Sequence, residues 1–405
     1  MGNTPNVRFK GFTEDWEQRK LSEISDFITK GATPTTYGYD WQESGIPFFR
    51  NDAIKDNKFS YGDFSYISEE ANEALQRSEI HGDDILVAIT GDIGKAGIVP
   101  KSIEKGNINQ HTARVRIIKD AIPYFVYQSL ITDKQQKKYQ LIKTGLSMPQ
   151  LSLQQIRDTI ILCPSVEEQS MIGECFINLD NLITLHQQKC DETKEFKKYM
   201  LQNMFPQKDE KVPKIRFDGF TEDWEQRKVS EMFKVTRGYV LPATDTSQEM
   251  TDEMPYPVYS SQTKDNGLMG YYSDYLYEDA ITWTTDGANA GTVNFRDGKF
   301  YCTNVCGVLL SDKIETSKVI AEALNNVAKR YVSYVGNPKL MNNVMADIQI
   351  AVPISKRERD QISSYFSYLD HLITLHQQKC NALKEFKKYM LQNMFPQKGE
   401  NKCQN

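Results

Sequence analysis

Two histidine–cysteine pairs are the residues of this chain whose type and spacing come nearest to a metal site. His186 and Cys190 are four residues apart, and His376 and Cys380 repeat that spacing. On a helix such residues share a face, so two facing helices would offer two nitrogens and two sulfurs to zinc. Structural zinc normally ties short loops, however, and the alternative is that these residues fix the register of paired helices. We expect no metal and no cofactor in this chain.

Motifs for catalysis are absent from the sequence. GDIGKAG, around Gly94, lacks both the spacing of a phosphate-binding loop and the Ser or Thr that follows its lysine. There is no GxGxxG turn for a dinucleotide, no Asn-Pro-Pro-Tyr stretch of the kind that amino-methyltransferases use to hold a flipped base, and no recognisable catalytic triad. Cys302 and Cys306 have no second pair at zinc-finger spacing and fit a buried strand better. The chain is predicted not to be an enzyme.

Two internal repeats organise the chain. RFKGFTEDWEQRKLSE, from Arg8, returns from Arg216 with 14 of 16 positions identical. A 30-residue segment from Leu179 returns from Leu369 with 26 positions identical, and both copies contain KEFKKYMLQNMFPQK. Repeats of this kind indicate one structural unit written twice.

The blocks between the repeats differ in sequence but share a pattern of strand, Gly-rich turn and strand. ILVAITGDIGKAGIV, from Ile85, aligns with AITWTTDGANAGTV, from Ala280, so that Thr90 stands opposite Thr284. The first block is longer because of a segment that begins at Ser65 and has a helical pattern. Each block is therefore predicted to be the same α+β fold with different surface residues.

The longer repeat predicts a long helix in each half. From Ser165 to Asn203 there is no proline and a single glycine, and Pro206 and Pro396 end the two copies. Apolar residues recur at alternating spacings of four and three, which is a heptad seam. Such a helix is about 57 Å long. A second apolar stripe leaves surface for another partner.

Composition and charge restrict where this chain works. It has no run of 18 apolar residues, its first residues lack a secretory signal, and its seven cysteines show no disulfide spacing, so a cytoplasmic location is expected. The net charge is −5. Residues 21–165 carry 16 basic and 18 acidic side chains, and residues 229–353 carry 10 and 15. Neither block can bind nucleic acid tightly through bulk positive charge.

The order of these motifs resembles the specificity subunit of type I restriction–modification systems, over essentially the whole chain and twice. The motifs that carry the resemblance are Arg8-Phe9, Trp16, Leu21-Ser22-Glu23, their repeats Arg216-Phe217, Trp224 and Val229-Ser230-Glu231, the turn Lys30-Gly31-Ala32-Thr33-Pro34, and the helix entries at Pro164 and Leu179-Asp180. The second block departs from the pattern, because Gly238-Tyr239-Val240-Leu241-Pro242 replaces the compact turn.

The resemblance implies an α+β fold class, with two homologous α/β target-recognition domains separated by two long antiparallel helices that form a coiled coil, and an internal pseudo-twofold repeat. It also implies that each domain reads one half of a bipartite, interrupted site in double-stranded DNA. The helices would set the gap and dock two methyltransferase subunits, and restriction–translocase subunits would complete the complex. S-adenosylmethionine, ATP and Mg are then expected on the partner subunits, and no membrane partner is expected.

The predicted boundaries follow the repeats. They are residues 1–165 for the N-terminal segment and first recognition domain, 166–205 for the central helix, 206–228 for a linker that repeats the N-terminal segment, 229–355 for the second recognition domain, 356–395 for the C-terminal helix and 396–405 for a tail.

Candidate DNA-binding residues are polar side chains on the Gly-rich turns and after the Pro-aromatic strands, since such groups read base edges. In the first domain they are Thr33, Thr35, Arg50, Asn51, Lys95, Asn109, Gln110, His111 and Arg114, with Lys137 and Lys138 expected at phosphates. In the second domain they are Ser260, Ser261, Gln262, Thr285, Asn289 and Asn304. The alternative for each is an ordinary solvated loop or helix residue.

Candidate partner-binding residues lie in the repeated helix ends, where two identical surfaces could bind two copies of one partner. They are Phe196, Tyr199, Met200 and Met204, with Phe386, Tyr389, Met390 and Met394. A core role is the alternative for each. A different function class, a non-enzymatic coiled-coil scaffold displaying two protein-binding domains, explains the repeats and the acidity equally well.

Overall fold

The computed structural model describes residues 4–62, 64–118, 120–145, 147–207, 210–261 and 265–396. The chain divides into two compact units: unit 1 is Met1–His186 with Gln378–Asn405, and unit 2 is Gln187–Gln377. Each unit mixes strands and helices. Among the described helices, none combines the length and apolar character that a membrane span requires.

Unit 1 is built from small sheets. Its strands are β1 (Glu17–Lys20), β2 (Ser25–Lys30), β3 (Ile46–Phe49), β4 (Ile54–Lys55), β5 (Lys58–Phe59), β6 (Ser65–Ile67), β7 (Glu79–Ile80), β8 (Ile85–Ala88), β9 (Ala96–Ile98), β10 (Gly106–Ile108), β11 (Thr112–Ile117) and β12 (Ile160–Cys163). One antiparallel sheet has the order β2-β11-β8-β9, and a second has the order β6-β3-β10-β7, in which β3 and β10 run parallel. β1 pairs with β12, and β4 with β5.

The helices of unit 1 are α1 (Glu69–Ala74), α2 (Pro123–Leu130), α3 (Asp133–Ile142), α4 (Leu153–Arg157) and the first part of α5 (Val166–Asn203). Thr132 and Ser152 cap α3 and α4 by accepting from the backbone N–H groups of Gln135 and Gln155. The segment from Ser65, predicted to be a helix, instead begins with strand β6 and becomes α-helical only at α1.

Unit 2 has one larger sheet. Its strands are β13 (Glu225–Lys228), β14 (Phe233–Arg237), β15 (Tyr256–Tyr259), β16 (Leu268–Tyr272), β17 (Tyr277–Thr284), β18 (Val293–Cys302), β19 (Cys306–Ser311) and β20 (Gln349–Val352). The sheet has the order β14-β19-β17-β18-β15-β16, and β13 pairs separately with β20. The helices are α6 (Val229–Met232), α7 (Lys318–Ala328), α8 (Asn342–Asp347) and α9 (Lys356–Asn393), whose last part belongs to unit 1.

Both units build the same core from equivalent aromatic residues. In unit 1 Trp16 packs 6.2 Å from Phe395, which lies 6.0 Å from Phe176 between ring centroids. In unit 2 Trp224 packs 5.8 Å from Phe205, which lies 5.9 Å from Phe366. The Trp comes from the short repeat, whereas Phe395 and Phe205 each follow directly after a long helix. Each core is therefore closed by the MFP sequence at the end of the longer repeat.

The arginine of each Arg-Phe motif forms a fork-to-fork ion pair with a buried glutamate near the start of a long helix. Arg8 donates from Nε and Nη2 to Glu168 at 2.7 and 2.8 Å, and Arg216 donates to Glu358 at 2.7 and 2.9 Å. Both glutamate side chains are 1% exposed. The hydrogen bond to Glu168 raises the pKa of Arg8, and that to Glu358 raises the pKa of Arg216. Bidentate pairing explains why these positions are arginine in both copies.

A lysine of the repeated KEFKKYM stretch also makes equivalent ion pairs. Lys387 donates to Asp180 at 2.7 Å in unit 1, and Lys197 donates to Asp370 at 2.7 Å in unit 2. The units differ because Lys197 has a second carboxylate, Glu322, at 2.9 Å. Burial lowers the pKa of Lys387, whereas the two carboxylates overcome the effect of burial on Lys197 and raise its pKa.

The backbone hydrogen bonds correct the sequence alignment of the Gly-rich turns by two residues. The N–H of Gly94 donates to the carbonyl of Ala88, and the N–H of Gly291 donates to the carbonyl of Thr284. Thr284 is thus equivalent to Ala88 and not to Thr90. The alignment was wrong because the offset between the units is not constant: it is 196 residues at Ala88 and Thr284, 197 at Gly94 and Gly291, and 194 at Asn109 and Thr303.

A glycine follows the first long strand in both units because backbone atoms approach it closely. A Cβ on Gly31 would lie 1.7 Å from the carbonyl oxygen of Ile108, and one on Gly238 would lie 2.1 Å from that of Cys302. The N–H groups of Gly31 and Gly238 donate to the carbonyls of Asn109 and Cys306. The two turns therefore share a backbone constraint although their next residues differ.

Candidate nucleic-acid interface

Several predicted residues of unit 1 meet where β2 ends beside the turn between β10 and β11. The Thr33 hydroxyl donates to Gln110 Oε1 at 2.7 Å, and Gln110 Nε2 lies 3.3 Å from His111 Nε2. The three side chains are half-buried, and Thr35, one turn further, is exposed. The structure brings these four residues together as a polar surface.

The buried side chain of Asn109 stabilises the turn that forms this polar surface. Its Oδ1 accepts from the N–H of His111 at 3.1 Å and from the Thr112 hydroxyl at 3.2 Å. Those contacts hold the turn that carries Gln110 and His111. The geometry of Asn109 suits a positioning role in the turn.

Arg50 and Asn51 lie directly after β3. Arg50 is exposed, its guanidinium carbon lies 5.4 Å from the Trp41 ring centroid, and Nη2 donates to the Ser65 hydroxyl at 3.1 Å. Asn51 Nδ2 donates to the Thr90 carbonyl at 3.0 Å, whereas its buried Oδ1 has no hydrogen-bond partner in the described structure. Asn51 therefore ties the end of β3 to the Gly-rich loop.

We define the Gly-rich loops as residues 90–95 in unit 1 and residues 286–292 in unit 2. Lys95 is half-buried and pairs with Asp92 at 2.9 Å within the first of these loops. In unit 2, Asn289 Nδ2 donates to the Ser261 carbonyl at 3.4 Å, which ties the second loop to the residues after β15. Each unit thus brings its Gly-rich loop against the end of an equivalent strand.

Arg114 requires a correction, since it does not reach the surface. Its side chain is 4% exposed, Nη1 donates to the Glu79 carbonyl at 2.9 Å, and burial lowers its pKa. The guanidinium also lies over the Phe27 ring. Arg114 belongs to the buried run Thr112–Val115 of β11, whose side chains are covered on both faces of the strand. It supports the sheet and is withdrawn from the set of base-reading candidates.

In unit 2 the predicted residues form a second surface at the equivalent edge. Ser260 and Ser261 are half-buried, Asn304 is exposed, and the Ser260 hydroxyl accepts from Thr303 at 3.0 Å. Thr285 is buried and donates within the turn to Asp286 at 2.7 Å, so it orders the loop from inside. Gln262 lies outside the described residues.

A polar cavity beneath this edge of unit 2 was missed by the sequence reasoning. It has a volume of about 120 Å³, and its lining includes Ser260, Asn289, Thr282, Asn294 and Arg296. Arg296 Nε donates to the Thr282 hydroxyl at 3.0 Å, Nη2 donates to the Asn266 carbonyl at 2.7 Å, and burial lowers its pKa. The sequence feature that could have indicated this cavity is the arginine between the aromatic residues of a strand, in NFRDGKF.

Lys137 and Lys138 are exposed on α3, whose Gln136 Nε2 donates to the Gly94 carbonyl of the first Gly-rich loop at 2.7 Å. Lys138 also lines a cavity of about 240 Å³ that includes Gln18, Lys134 and Phe395. Both side chains are accessible to solvent, and their role at phosphates stays a prediction.

The predicted docking residues divide into exposed and buried members. Phe196 and Tyr199 are 48% and 53% exposed, and Phe386 and Tyr389 are 48% and 52% exposed. Met200 and Met390 are half-buried against the cores of units 2 and 1.

Met204 and Met394 are each 1% exposed and belong to those cores, which corrects their assignment to a docking surface. The chain turns inward after each helix, and this turn, which the heptad pattern does not describe, buries them.

The cysteines of the predicted helix seam contact backbone carbonyls. Cys190 Sγ lies 3.8 Å from the Ile373 carbonyl, and Cys380 Sγ lies 3.8 Å from that of Ile183. In the described ranges no three His, Cys, Asp or Glu side chains are arranged to hold a metal. Burial raises the pKa of Cys302 and raises that of Cys306 to about 11, so neither is a thiolate at neutral pH.

Comparison with known proteins agrees with the repeated architecture. Two regions, residues 13–195 and 221–385, match the family model described as type I restriction modification DNA specificity domain. The S subunit of a type I restriction–modification system from M. genitalium has a similar fold, with a TM-score of 0.73 over 98% of this chain and 100% of that chain, at 14% identity.

Two sequence relatives come from Mycoplasma pneumoniae. The first is described as the N-terminus of a type I specificity subunit, and it is 36% identical to this chain over 140 residues. These residues are 34% of this chain and 73% of the relative. The specificity subunit of the type I restriction enzyme MpnII is 38% identical over 100 residues, 24% of this chain and 30% of that relative. Two further relatives match this chain over only 33% and 37% of their own length.

Because the two model matches together cover most of its length, the chain belongs to the type I restriction modification DNA specificity family. As a member of a DNA specificity family, it is a DNA-recognition component.

Proposed function

We propose that this chain reads a bipartite, interrupted site in double-stranded DNA, one half with each unit. The main support is that both units hold the same backbone frame, fixed at Gly31 and Gly238, and present different side chains on it. At the end of the equivalent strands, unit 1 offers Arg50 and Asn51, and unit 2 offers Ser260 and Ser261. Different donors and acceptors at one place in a common frame read different bases.

The reading residues in this proposal are the accessible members of the predicted set. In unit 1 they are Thr33, Thr35, Arg50, Lys95, Gln110 and His111, and in unit 2 they are Ser260, Ser261, Asn289 and Asn304. Asn51, Asn109 and Thr285 hold the loops that carry them. Gln262 stays a candidate from the sequence alone.

The long helices have two roles in the proposal. α5 and α9 are each 38 residues without a break, and ion pairs join them within each unit, Lys387 to Asp180 in unit 1 and Lys197 to Asp370 in unit 2. We propose that they form a coiled coil whose length sets the gap between the half-sites. Phe196 with Tyr199, and Phe386 with Tyr389, are proposed to dock two methyltransferase subunits, which would carry S-adenosylmethionine. Restriction–translocase subunits would supply the ATP- and Mg-dependent steps.

Methylome sequencing of a host that carries this chain and its partner subunits tests the proposal. The expected result is methylation of one two-part motif with a fixed gap. Methylation of a continuous motif, or none that depends on this chain, would contradict it.

A heptad insertion tests the role of the helices. Seven residues added after Gln187 in α5 and after Gln377 in α9 keep the seam and lengthen both helices by about 10 Å. Since one base pair rises about 3.4 Å, the gap should grow by about three base pairs while both half-sites stay the same. Insertion in α5 alone is the control, because it breaks the register and should abolish specific methylation. Altered half-sites with the original gap would contradict the spacer role.

A further inference from the structure

A hairpin in each unit is fixed beside the Gly-rich loop by the same backbone hydrogen bonds. We call these the tip hairpins, which are residues 144–145 with 147–150 in unit 1 and residues 333–339 in unit 2. Thr144 and Gln150 exchange N–H···O bonds of 3.0 and 2.8 Å, and Ser333 and Lys339 exchange bonds of 2.8 and 2.9 Å. Each hairpin is therefore built into the frame of its unit.

The hairpins are also joined to the Gly-rich loops in the same way. The N–H of Gly91 donates to the Pro149 carbonyl at 3.0 Å, and the N–H of Gly287 donates to the Pro338 carbonyl at 2.9 Å. A surface that contacts the Gly-rich loop thus meets the tip hairpin as well.

Large exposed apolar side chains lie on both tip hairpins and, in unit 1, also on the end of α3 that precedes the hairpin. Near the first, Leu141 is 83% and Met148 is 56% exposed; on the second, Tyr334 is 70% and Val335 is 93% exposed. The two segments, LIKTGLSMPQ and YVSYVGNPKL, have little sequence in common apart from the turn-forming Gly and Pro. Exposed apolar groups that recur at one place mark an interaction surface.

Basic side chains flank both tips, although each block is acidic overall. Lys137 shares a face of α3 with Leu141 at a spacing of four, and Lys143 precedes the first hairpin. Lys329 and Arg330 precede the second hairpin and are exposed. The blocks carry 16 basic against 18 acidic and 10 against 15 residues, so positive charge beside the tips is local. An apolar tip with a cationic border fits a nucleic-acid groove between two phosphate strands.

We propose that both tip hairpins contact DNA, with the apolar tip side chains against sugar and base surfaces and the flanking lysines and arginine at phosphates. This inference rests on the proposed function, because it adds a contact to the same interface. It assigns the exposed Leu141, Met148, Tyr334 and Val335 to binding that does not depend on base-edge hydrogen bonds.

The test uses the full chain in complex with its methyltransferase subunits and a DNA duplex that contains the bipartite site. Replacing Tyr334 and Val335 by serine should weaken binding about tenfold or more, which is about 1.4 kcal/mol, because two large apolar side chains are removed from the interface. The dependence of log Kd on log salt should stay unchanged. Met250→Ser is the matched control, because Met250 is 67% exposed in the same unit but lies next to Glu249, Asp252 and Glu253.

Separate variants test the cationic border. Lys329→Gln and Arg330→Gln should each reduce the magnitude of the salt slope by about 0.9, because each removes one phosphate contact. In unit 1, Leu141→Ser with Met148→Ser should give a loss like that of the unit 2 pair. Circular dichroism and thermal unfolding verify that the variants fold.

The outcomes separate the two proposals. If the native complex binds no bipartite site, the proposed function is wrong. If the native complex binds and the tip variants bind like Met250→Ser, the tip contact alone is overturned. If weakening comes with an altered salt slope in the serine variants, the apolar contact is overturned as well.

Discussion

At equivalent positions beneath the proposed reading edge, unit 1 places Phe49, Leu86 and Val99, and unit 2 places the half-buried Tyr259 and the buried Thr282 and Arg296. The three side chains of unit 1 belong to an apolar cluster, all at most 2% exposed. In unit 2 the Arg296 guanidinium stacks 3.7 Å from the Tyr259 ring centroid and bonds to Thr282. The polar cavity of about 120 Å³ adjoins this group.

The comparison shows that the backbone fold shared by the two units forms over an apolar cluster in unit 1 and over a polar cluster in unit 2. Ile89 N–H donates to the His111 carbonyl in unit 1, and Thr285 N–H donates to the Val305 carbonyl in unit 2, at 2.9 and 3.0 Å. The backbone ladder is thus common, while the side chains beneath the proposed reading edge vary from apolar to cationic. A buried arginine needs its partners in place, so the unit 2 edge is a connected polar network.

The largest expected effect tests what the units share. Gly31→Ala and Gly238→Ala should each destabilise their own unit by about 4 kcal/mol, because a Cβ would lie within 1.7 and 2.1 Å of a backbone carbonyl oxygen. Hydrogen exchange of peptides from each unit measures the loss. The control is Gly173→Ala on α5, where the nearest atom is 3.5 Å away and helix propensity favours alanine. Equal protection in the Gly31 and control variants would disprove the shared constraint.

A second prediction concerns the repeated lysines. Asp180→Asn leaves the buried Lys387 without an anionic partner among its described contacts, and should cost unit 1 about 3 kcal/mol. Asp370→Asn should cost unit 2 about 1 kcal/mol, because Glu322 still accepts from Lys197. Denaturant unfolding followed by unit-specific fluorescence or exchange compares the two. A larger loss for Asp370→Asn would contradict the prediction.

A third prediction acts on the clusters themselves. Arg296→Met should cost unit 2 about 2 kcal/mol, since it leaves the Asn266 carbonyl and the Thr282 hydroxyl without their donor. Adding the side chains of unit 1, as Tyr259→Phe, Thr282→Leu, Thr284→Ala and Arg296→Val, should recover much of this loss, because replacing both partners by apolar groups is nearly neutral. Thermal unfolding of the two variants gives the comparison. No recovery in the fourfold variant would show that the frame requires the network.

The smallest expected stability effect concerns the exposed helix ends. Phe196→Ser and Phe386→Ser should change the free energy of unfolding by about 0.5 kcal/mol or less, because both side chains are 48% exposed. Each should nonetheless remove binding of one methyltransferase subunit, which mass measurement of the assembled complex detects. Retention of both subunits in the double variant would contradict the docking proposal.

Sequence reasoning was most informative where the signal is local. Pro206 and Pro396 fix the helix ends, and α5 and α9 end at Asn203 and Asn393. The duplicated pattern of strand and Gly-rich turn was also readable, because repeats compare the chain with itself. These features depend on neighbours along the chain or on identity between copies.

What the sequence did not provide depends on contacts between distant residues. Arg8 was recognised as part of a motif, but its partner Glu168 lies 160 positions away. The burial of Arg114 and Met204 depends on what covers a strand or turn, and polarity alone does not determine that. The cavity around Arg296 combines residues of several strands and loops, none of which stands out by itself.

The closure of unit 1 by Phe395 reverses the usual order of folding during synthesis. Unit 2 is one continuous stretch, Gln187–Gln377, whereas unit 1 also needs Gln378–Asn405. The N–H of Val7 donates to the Asn393 carbonyl, so this contact of Val7 cannot form until helix α9 has been synthesised. On the ribosome, where domains generally complete in chain order, the part that is made first is therefore finished last. Until then Trp16 and Phe176 lack the ring that covers them, and this interval is when the nascent chain is most exposed to aggregation.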